Sequence, residues 1–183
     1  MVIGHEITHS FDVGGRRVTM DGRMSKSGLG WWTQEADDGF QEVVECMDKQ
    51  YSAFEVHDGL FLNGTRVMAE SMSDNGGLKA AFWAYRTLIA GDDADAGNAK
   101  GRQASAMMPE LTNDQLFFVS FGQGWCFKAT HEYESFWVET NPHAYPPFRV
   151  EGAVANFGKF EEAFQCTWKD RFARRREERC ENW

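Results

Sequence analysis

Two histidines near the start of the chain have the spacing of a metal-binding helix. His5 and His9 stand four residues apart in the run His5-Glu6-Ile7-Thr8-His9, and side chains four apart share one face of an α-helix. Both imidazoles can therefore reach one zinc ion at about 2.0–2.1 Å. Glu6 lies one step round the helix, where its carboxylate would take a proton from a zinc-bound water that attacks a carbonyl group. The pattern predicts metal-assisted hydrolysis, although a pair of exposed histidines on a helix would show the same spacing.

A catalytic zinc of this kind needs a third protein ligand and one open position. The metzincin class would place glycine at position 12 and histidine at position 15, but Asp12 and Gly15 stand there, which excludes that class. Glu70 supplies the other solution, a carboxylate on a separate helix. Asp74 lies four residues later on the same face, where it is predicted to hydrogen-bond a ligand imidazole. A solvated carboxylate face is the competing interpretation, and the run Asn75-Gly76-Gly77 disfavours it because glycine is costly in a plain surface helix.

The hydrophobic spacing predicts a mainly helical first half, with the two motifs on different helices. In chain order the sequence predicts a helix at 2–11, turns with at most a short hairpin at 12–30, a long amphipathic helix that Thr33 caps and that reaches Phe54, a loop at 57–64 and a second long helix at 66–89. Gly76 and Gly77 predict a kink or break in that second helix. The first helix has no capping residue before it, which indicates that an upstream segment is missing.

The second half continues the helical pattern. A polar, acidic stretch at 91–109 predicts a mobile surface loop, and Thr112 with Gln115 predicts a capping box for the next helix. Three of the four prolines lie at 141–147 and predict an ordered turn that is not helical. A last helix is predicted at 157–176. Since no linker divides the chain, we expect one domain over residues 1–183.

Charge and cysteine content exclude several classes of function. The net charge of −9 disfavours nucleic acid and anionic lipid as partners, and no run approaches the roughly 18 apolar residues of a membrane span. We therefore expect no membrane contact from this segment. The basic run at 171–179 is interleaved with glutamates and is predicted to be a solvated helix face. The four cysteines, at positions 46, 126, 166 and 180, are too widely spaced for a zinc ribbon or a thioredoxin-like motif. Two disulfides and four buried thiols both remain compatible with them.

Taken together, the motifs resemble those of the neprilysin and endothelin-converting enzyme family of zinc metallopeptidases. The run from Val2 to Asp12 is similar to the active-site helix of that family, and Glu70 to Gly77 resembles its second motif, a glutamate, three residues and then Asp-Asn-Gly-Gly. The separation of 61 positions between His9 and Glu70 is also typical of the family. Further matches are Leu62-Asn63-Gly64, Gln115-Leu116-Phe117-Phe118, Trp125-Cys126 and the ending Cys180-Glu181-Asn182-Trp183. The resemblance covers the whole chain.

The resemblance implies the C-terminal catalytic half of a thermolysin-like gluzincin fold, mainly α with little β structure, whose upstream sheet portion is missing. It implies one zinc ion per chain, held by His5, His9 and Glu70, with Glu6 as the general base. Asp12 and Asp74 would orient the histidines.

Substrate contacts are also implied by the resemblance. His143 would stabilise the oxyanion of the tetrahedral intermediate, and Arg149 would bind a substrate carbonyl. Met1 and Val2 match positions that line the pocket for the hydrophobic residue after the scissile bond. His57 and His131 fit no motif.

The resemblance further implies a Cys46–Cys180 disulfide, partners for Cys126 and Cys166 in the absent upstream portion, and an extracellular or cell-surface location. Three functions follow as hypotheses. The first is a zinc-dependent endopeptidase acting on oligopeptides; the second is a truncated, catalytically incompetent fragment that still binds zinc. The third is a zinc-stabilised binding domain, which Glu6 disfavours because a structural site needs four closed ligands.

Overall fold

The computed structural model describes residues 1–26, 29–93, 108–167 and 169–181. These residues form seven α-helices and one antiparallel pair of strands, which confirms the mainly helical prediction. The helices are α1 Val2–Thr8, α2 Gln34–Ser52, α3 Gly64–Asp93, α4 Asn113–Gln123, α5 His131–Thr140, α6 Pro146–Ala155 and α7 Gly158–Phe164, and the strands are β1 Glu55–His57 and β2 Leu60–Phe61. Short 3₁₀ turns lie at His9–Phe11, Gly15–Arg17 and Arg176–Glu178.

Helix α3 is the central element, and α1, α2 and α6 pack against it. It runs without interruption through Gly76 and Gly77, so the predicted break is wrong. The glycines serve close packing instead: a Cβ on Gly77 would lie 2.6 Å from the backbone nitrogen of His5, and one on Gly76 would lie 2.6 Å from the side chain of Thr8. The missing side chains let α1 lie directly on α3, which brings the two predicted metal-binding motifs together.

Two hydrophobic clusters hold α3 in place. The first joins α3 to α2 and α6 through Met47, Tyr51, Met72, Phe148 and their neighbours. The second joins α3 to α4 and α6 through Leu78, Phe82, Phe118, Phe121, Val154 and Phe157. Burying a side chain of this size contributes roughly 1.5–3 kcal/mol, so both flanks of the long helix are firmly anchored.

A disulfide ties the C-terminal segment to the second helix. Cys46 in α2 is bonded to Cys180, 134 residues later, as the resemblance implied. Cys180 is buried, and its backbone N–H donates to the side-chain oxygen of Asn156 at 3.0 Å. Closing a loop of this length removes conformational freedom from the unfolded chain, worth about 5 kcal/mol in the chain-entropy account.

The caps of α2 and α4 were predicted correctly. Thr33 accepts a hydrogen bond from the backbone of Ala36, and Thr112 and Gln115 form a reciprocal capping box. Helix α5 was not predicted; it begins after Thr130, whose side chain accepts from the backbone of Tyr133.

Two stretches differ from their predicted structure. The predicted loop at 57–64 contains most of a hairpin, in which Asp58 and Gly59 form a two-residue turn with φ values of 44° and 79°. The predicted non-helical stretch at 141–147 ends in the first turn of α6. Pro146 and Pro147 occupy positions N1 and N2 there, where the lack of an amide hydrogen costs nothing.

The predicted last helix at 157–176 is largely wrong, because α7 ends at Phe164 and Gln165 adopts a left-handed conformation with φ 55°. The basic run after it is therefore not a helix face. Its arginines pair with separate glutamates: Arg171 with Glu151, Arg175 with Glu178 and Arg179 with Glu161.

Of the stretch predicted to be a mobile loop, residues 91–93 belong to α3 and residues 94–107 lie outside the described residues, as do Trp168, Asn182 and Trp183. Within the described part of the chain, no helix is both long enough and apolar enough to cross a membrane.

Candidate metal centre

Helix α1 presents both histidines of the first motif on one face. The Nε2 atoms of His5 and His9 lie 3.1 Å apart, as expected for side chains one helical turn apart. His5 is 7% exposed and His9 is half-buried. The α-helix is followed by a 3₁₀ turn that begins at His9, and Asp12 is the residue directly after that turn.

The carboxylate of Glu70 reaches the same point from α3. Its Oε2 atom lies 3.2 Å from His5 Nε2 and 3.6 Å from His9 Nε2. That oxygen is buried and has no hydrogen-bond partner among the residues that the structure describes. Two helices that are far apart in sequence thus bring three ligand atoms to one place.

The other nitrogen of each histidine faces a carboxylate. His5 Nδ1 lies 2.9 Å from Asp74 Oδ1, and His9 Nδ1 lies 2.7 Å from Asp12 Oδ2. The backbone amides of Gly14 and Gly15 donate to the second oxygen of Asp12, each at 2.7 Å. A carboxylate acceptor fixes the proton on Nδ1 and leaves the Nε2 lone pair for a metal.

The three atoms fit a metal ion. Tetrahedral ligands at about 2.0–2.1 Å from zinc lie roughly 3.3 Å from one another, and the spacings among His5, His9 and Glu70 are 3.1–3.6 Å. Without a cation, the lone pairs of two imidazoles would face a buried carboxylate oxygen and one another, which is costly. Two nitrogens and one oxygen are a donor set that suits zinc and similar divalent ions.

Asp74 is held by a buried arginine. Arg149 in α6 donates from Nε to Asp74 Oδ2 at 2.6 Å and from Nη2 to Oδ1 at 2.7 Å, and its guanidinium lies 3.9 Å above the ring of Trp125. The hydrogen bond with Asp74 is the largest cause that raises the pKa of His5, against the lowering effect of burial. Asp74 and Arg149, for which the sequence predicts separate roles, therefore form one buried pair behind His5.

His143 approaches the centre from the turn between α5 and α6. Its Nε2 lies 3.1 Å from Glu70 Oε2, and Asn141 Oδ1 lies 2.9 Å from both its backbone nitrogen and its Nδ1. The carbonyl of His143 accepts from the indole of Trp137 at 3.0 Å. Burial is the main cause that lowers the pKa of His143, which favours the neutral ring. The proline-containing turn thus fixes both the backbone and the ring.

The remaining predicted site residues, Glu6, Met1 and Val2, all lie in α1 or at its N-cap. Glu6 is exposed and lines an open groove of about 810 Å³ together with His9, Phe11 and Trp31. Met1 is half-buried against the second hydrophobic cluster, and Val2 is 68% exposed.

Besides the pairing of Arg149 with Asp74, three further contacts at the centre were not predicted from the sequence. Ser73 Oγ lies 3.0 Å from His9 Nδ1, and its position three residues after Glu70 could have indicated this. The second contact is that of Asn141 with His143. An asparagine whose side chain accepts a hydrogen bond from the backbone two residues later is common in turns, so the sequence could have indicated it. Nothing in the sequence alone pointed to the stacking of Arg149 on Trp125.

The chain is similar in sequence to a known family of peptidases. A sequence model of Peptidase family M13 matches residues 1–180. Neprilysin-3 of Drosophila melanogaster is 38% identical over the whole chain, which covers 22% of that protein. Human endothelin-converting enzyme 1 and human neprilysin are each 38% identical over 91% of the chain, which covers 20% and 21% of them.

The fold is also similar to those of solved bacterial proteins. The Mycobacterium tuberculosis zinc metalloprotease Zmp1, in complex with an inhibitor, superposes with a TM-score of 0.84 and 29% identity over the whole chain and 26% of Zmp1. PepO from Lactobacillus rhamnosus superposes with a TM-score of 0.72 and 27% identity over 97% of the chain and 24% of PepO. The chain therefore spans about a fifth of the length of the curated relatives and about a quarter of these solved chains.

Proposed function

Because the chain belongs to Peptidase family M13, we propose that it provides the catalytic centre of a zinc-dependent endopeptidase that cleaves oligopeptides on the amino side of hydrophobic residues. The observation that carries the proposal is the convergence of His5 Nε2, His9 Nε2 and Glu70 Oε2 within 3.6 Å of one another. We infer that the metal is a single zinc ion, which the donor set suits.

Zinc at this centre would act as a Lewis acid and make water more acidic. Glu6 is the general base in this proposal: it projects into the groove beside His9, so its carboxylate can take the proton of the attacking water. Asp12 and Asp74 keep the Nδ1 protons in place and so direct both Nε2 lone pairs to the metal.

The substrate roles extend the same proposal. His143 would donate a hydrogen bond to the oxygen that becomes negative during attack, and its fixed position 3.1 Å from Glu70 supports this role. Arg149 would bind a substrate carbonyl through Nη1, since Nε and Nη2 are used by Asp74. Met1 and Val2 would contact the hydrophobic residue after the scissile bond.

An upstream portion of the same polypeptide would complete the substrate cleft. Helix α1 exposes Val2, Ile3 and Ile7 by 61–79%, an apolar surface that another part of the protein would cover. We propose that the same portion supplies partners for Cys126 and Cys166. The Cys46–Cys180 bond supports an extracellular or cell-surface location, because structural disulfides persist in oxidising compartments.

A second candidate is a metal-binding fragment without peptidase activity. It is favoured by the exposed apolar side of α1, which no described residue of this chain covers. In that case the metal ligands bind zinc as described, but no complete cleft forms around the substrate.

Zinc content and peptide cleavage separate these candidates. We would measure zinc per chain and hydrolysis of an internally quenched peptide for the native chain and for Glu6→Gln, which keeps the shape of the side chain but removes its basicity. The endopeptidase proposal predicts one zinc at this centre in both proteins and cleavage by the native chain only. Zinc without cleavage in either protein supports the fragment, and zinc-independent cleavage contradicts both.

A further inference from the structure

A second group of metal-ligating side chains lies outside the proposed active site. His57, Asp58 and His131 place one ligand atom each within 4.8 Å of one another. Asp58 Oδ2 lies 3.8 Å from His57 Nδ1 and 3.8 Å from His131 Nδ1. We propose that these three residues form a second binding site for a divalent transition-metal cation of the zinc type.

The state of His57 is the strongest support. Its Nδ1 atom is buried and has no hydrogen-bond partner in the described ranges of the chain. On the opposite side of the ring, Nε2 lies 3.7 Å from the carboxylate of Glu134 and 3.5 Å from Ser135 Oγ. In the tautomer that carries its proton on Nε2, His57 turns that proton towards Glu134 and Ser135 and directs its Nδ1 lone pair towards Asp58. A carboxylate behind an imidazole is the usual support of a histidine that binds a metal.

Local backbone structure positions Asp58 and His131 beside His57. Asp58 occupies the hairpin turn between β1 and β2, where φ is 44°, and His131 is the first residue of α5 after the capping residue Thr130. The rings of His57 and His131 stack with centroids 4.4 Å apart. The cluster thus joins the hairpin to the start of a helix more than 70 residues later.

The side chains of Asp58 and His131 must move to bind an ion, because the ligand atoms are up to 4.8 Å apart. Ligands of a tetrahedral zinc ion lie roughly 3.3 Å apart, so each 3.8 Å spacing must close by about 0.5 Å. The side chains of Asp58 and His131 are 84% and 68% exposed, and the His131 ring can turn out of the stack so that its lone pair meets that of His57. Their exposure also leaves the fourth position open to water.

The donor set indicates the class of ion. Two imidazoles and one carboxylate suit Zn²⁺, Ni²⁺ or Cu²⁺, whereas Mg²⁺ and Ca²⁺ prefer oxygen ligands only. Metal binding at this cluster would also be linked to the turn that carries His143 beside the first centre. Glu134 accepts a hydrogen bond from the Tyr145 hydroxyl at 2.6 Å, and Tyr145 follows His143 by two residues.

Zinc counting in matched variants tests the site. The native chain, Asp58→Asn and His131→Asn are dialysed against buffered micromolar Zn²⁺ and their zinc content is measured. Asparagine tolerates the left-handed turn at position 58, and both positions are exposed, so folding is preserved. Glu139→Gln, an exposed change further along α5, is the matched control for a general loss of negative charge.

The proposal predicts two zinc ions in the native chain and in Glu139→Gln, and one in each of the two site variants, with at least tenfold weaker binding of the second ion. Equal zinc content in all four proteins overturns it. His9→Asn separates this site from the proposed active site, because it should lose one ion and keep the ion that depends on His131. If the first centre bound no zinc, the native chain would hold one ion, lost in His131→Asn and kept in His9→Asn.

Discussion

The close contact between α1 and α3 makes Gly77→Ala a sharp test of how the metal centre is assembled. The added Cβ would lie 2.6 Å from His5 N and 2.9 Å from His5 Cα. These are backbone atoms, so no side-chain rotation relieves the overlap. Since ordinary contacts of a Cβ begin at 3.4 Å, α1 must move away from α3 by about 1 Å and carry His5 with it.

The magnitude follows from two opposing effects. Alanine gains about 1 kcal/mol over glycine in a helix interior, and overpacking at a tight interface costs about 1–3 kcal/mol. We therefore expect Gly77→Ala to lower the free energy of unfolding by up to about 2 kcal/mol. Gly39→Ala is the matched control, because Gly39 also lies within a helix but a Cβ there meets nothing within 4 Å. That variant should gain up to about 1 kcal/mol.

Thermal unfolding in a chelator isolates the packing effect from metal binding. For a chain of this length the two variants should differ in Tm by roughly 3–10 °C. A competition titration with a zinc chelator should then show zinc binding at least tenfold weaker in Gly77→Ala, because His5 is displaced from Glu70. Equal stability and equal zinc affinity in the two variants would refute the proposed role of this contact.

Two further predictions concern the support around the centre. Asp74→Asn should weaken zinc binding roughly 10–100-fold in a chelator competition and cost about 3–5 kcal/mol in denaturant unfolding, because Arg149 is left as an unpaired buried charge; native-like values in both assays would contradict the pairing. Cys46→Ser should lower the free energy of unfolding by about 2–5 kcal/mol through loss of the bond to Cys180, whereas Cys126→Ser, at an exposed free thiol, should change it little. Equal losses in the two serine variants would rule out a special role for the disulfide.

The residues of the centre were predictable because their signals are local. His5 and His9 are four residues apart, as are Glu70 and Asp74, and that spacing fixes a shared helix face before any tertiary contact is known. The meeting of the two helices was not fixed by spacing. It depends on Gly76 and Gly77, which have low helix propensity but leave room for the backbone and side chains of α1.

The hairpin at 55–61 and the end of α7 were not predicted, because one or two residues with positive φ set the backbone conformation there. The sequence Asp58-Gly59 is a strong signal for a two-residue hairpin turn, but the strands on either side are only three and two residues long, too short to show an alternating pattern. In the last segment, hydrophobic spacing continued past Phe164 and predicted more helix. Gln165 ends that helix in a left-handed conformation, and no glycine marks the position.

The most direct test of the account is an anomalous difference map from crystals of the zinc-loaded protein, recorded on both sides of the zinc absorption edge. The account predicts a peak at about 2.0–2.2 Å from His5 Nε2, His9 Nε2 and a carboxylate oxygen of Glu70. A zinc-loaded crystal with no peak there, or with the Glu70 carboxylate turned away from both imidazoles, would contradict it.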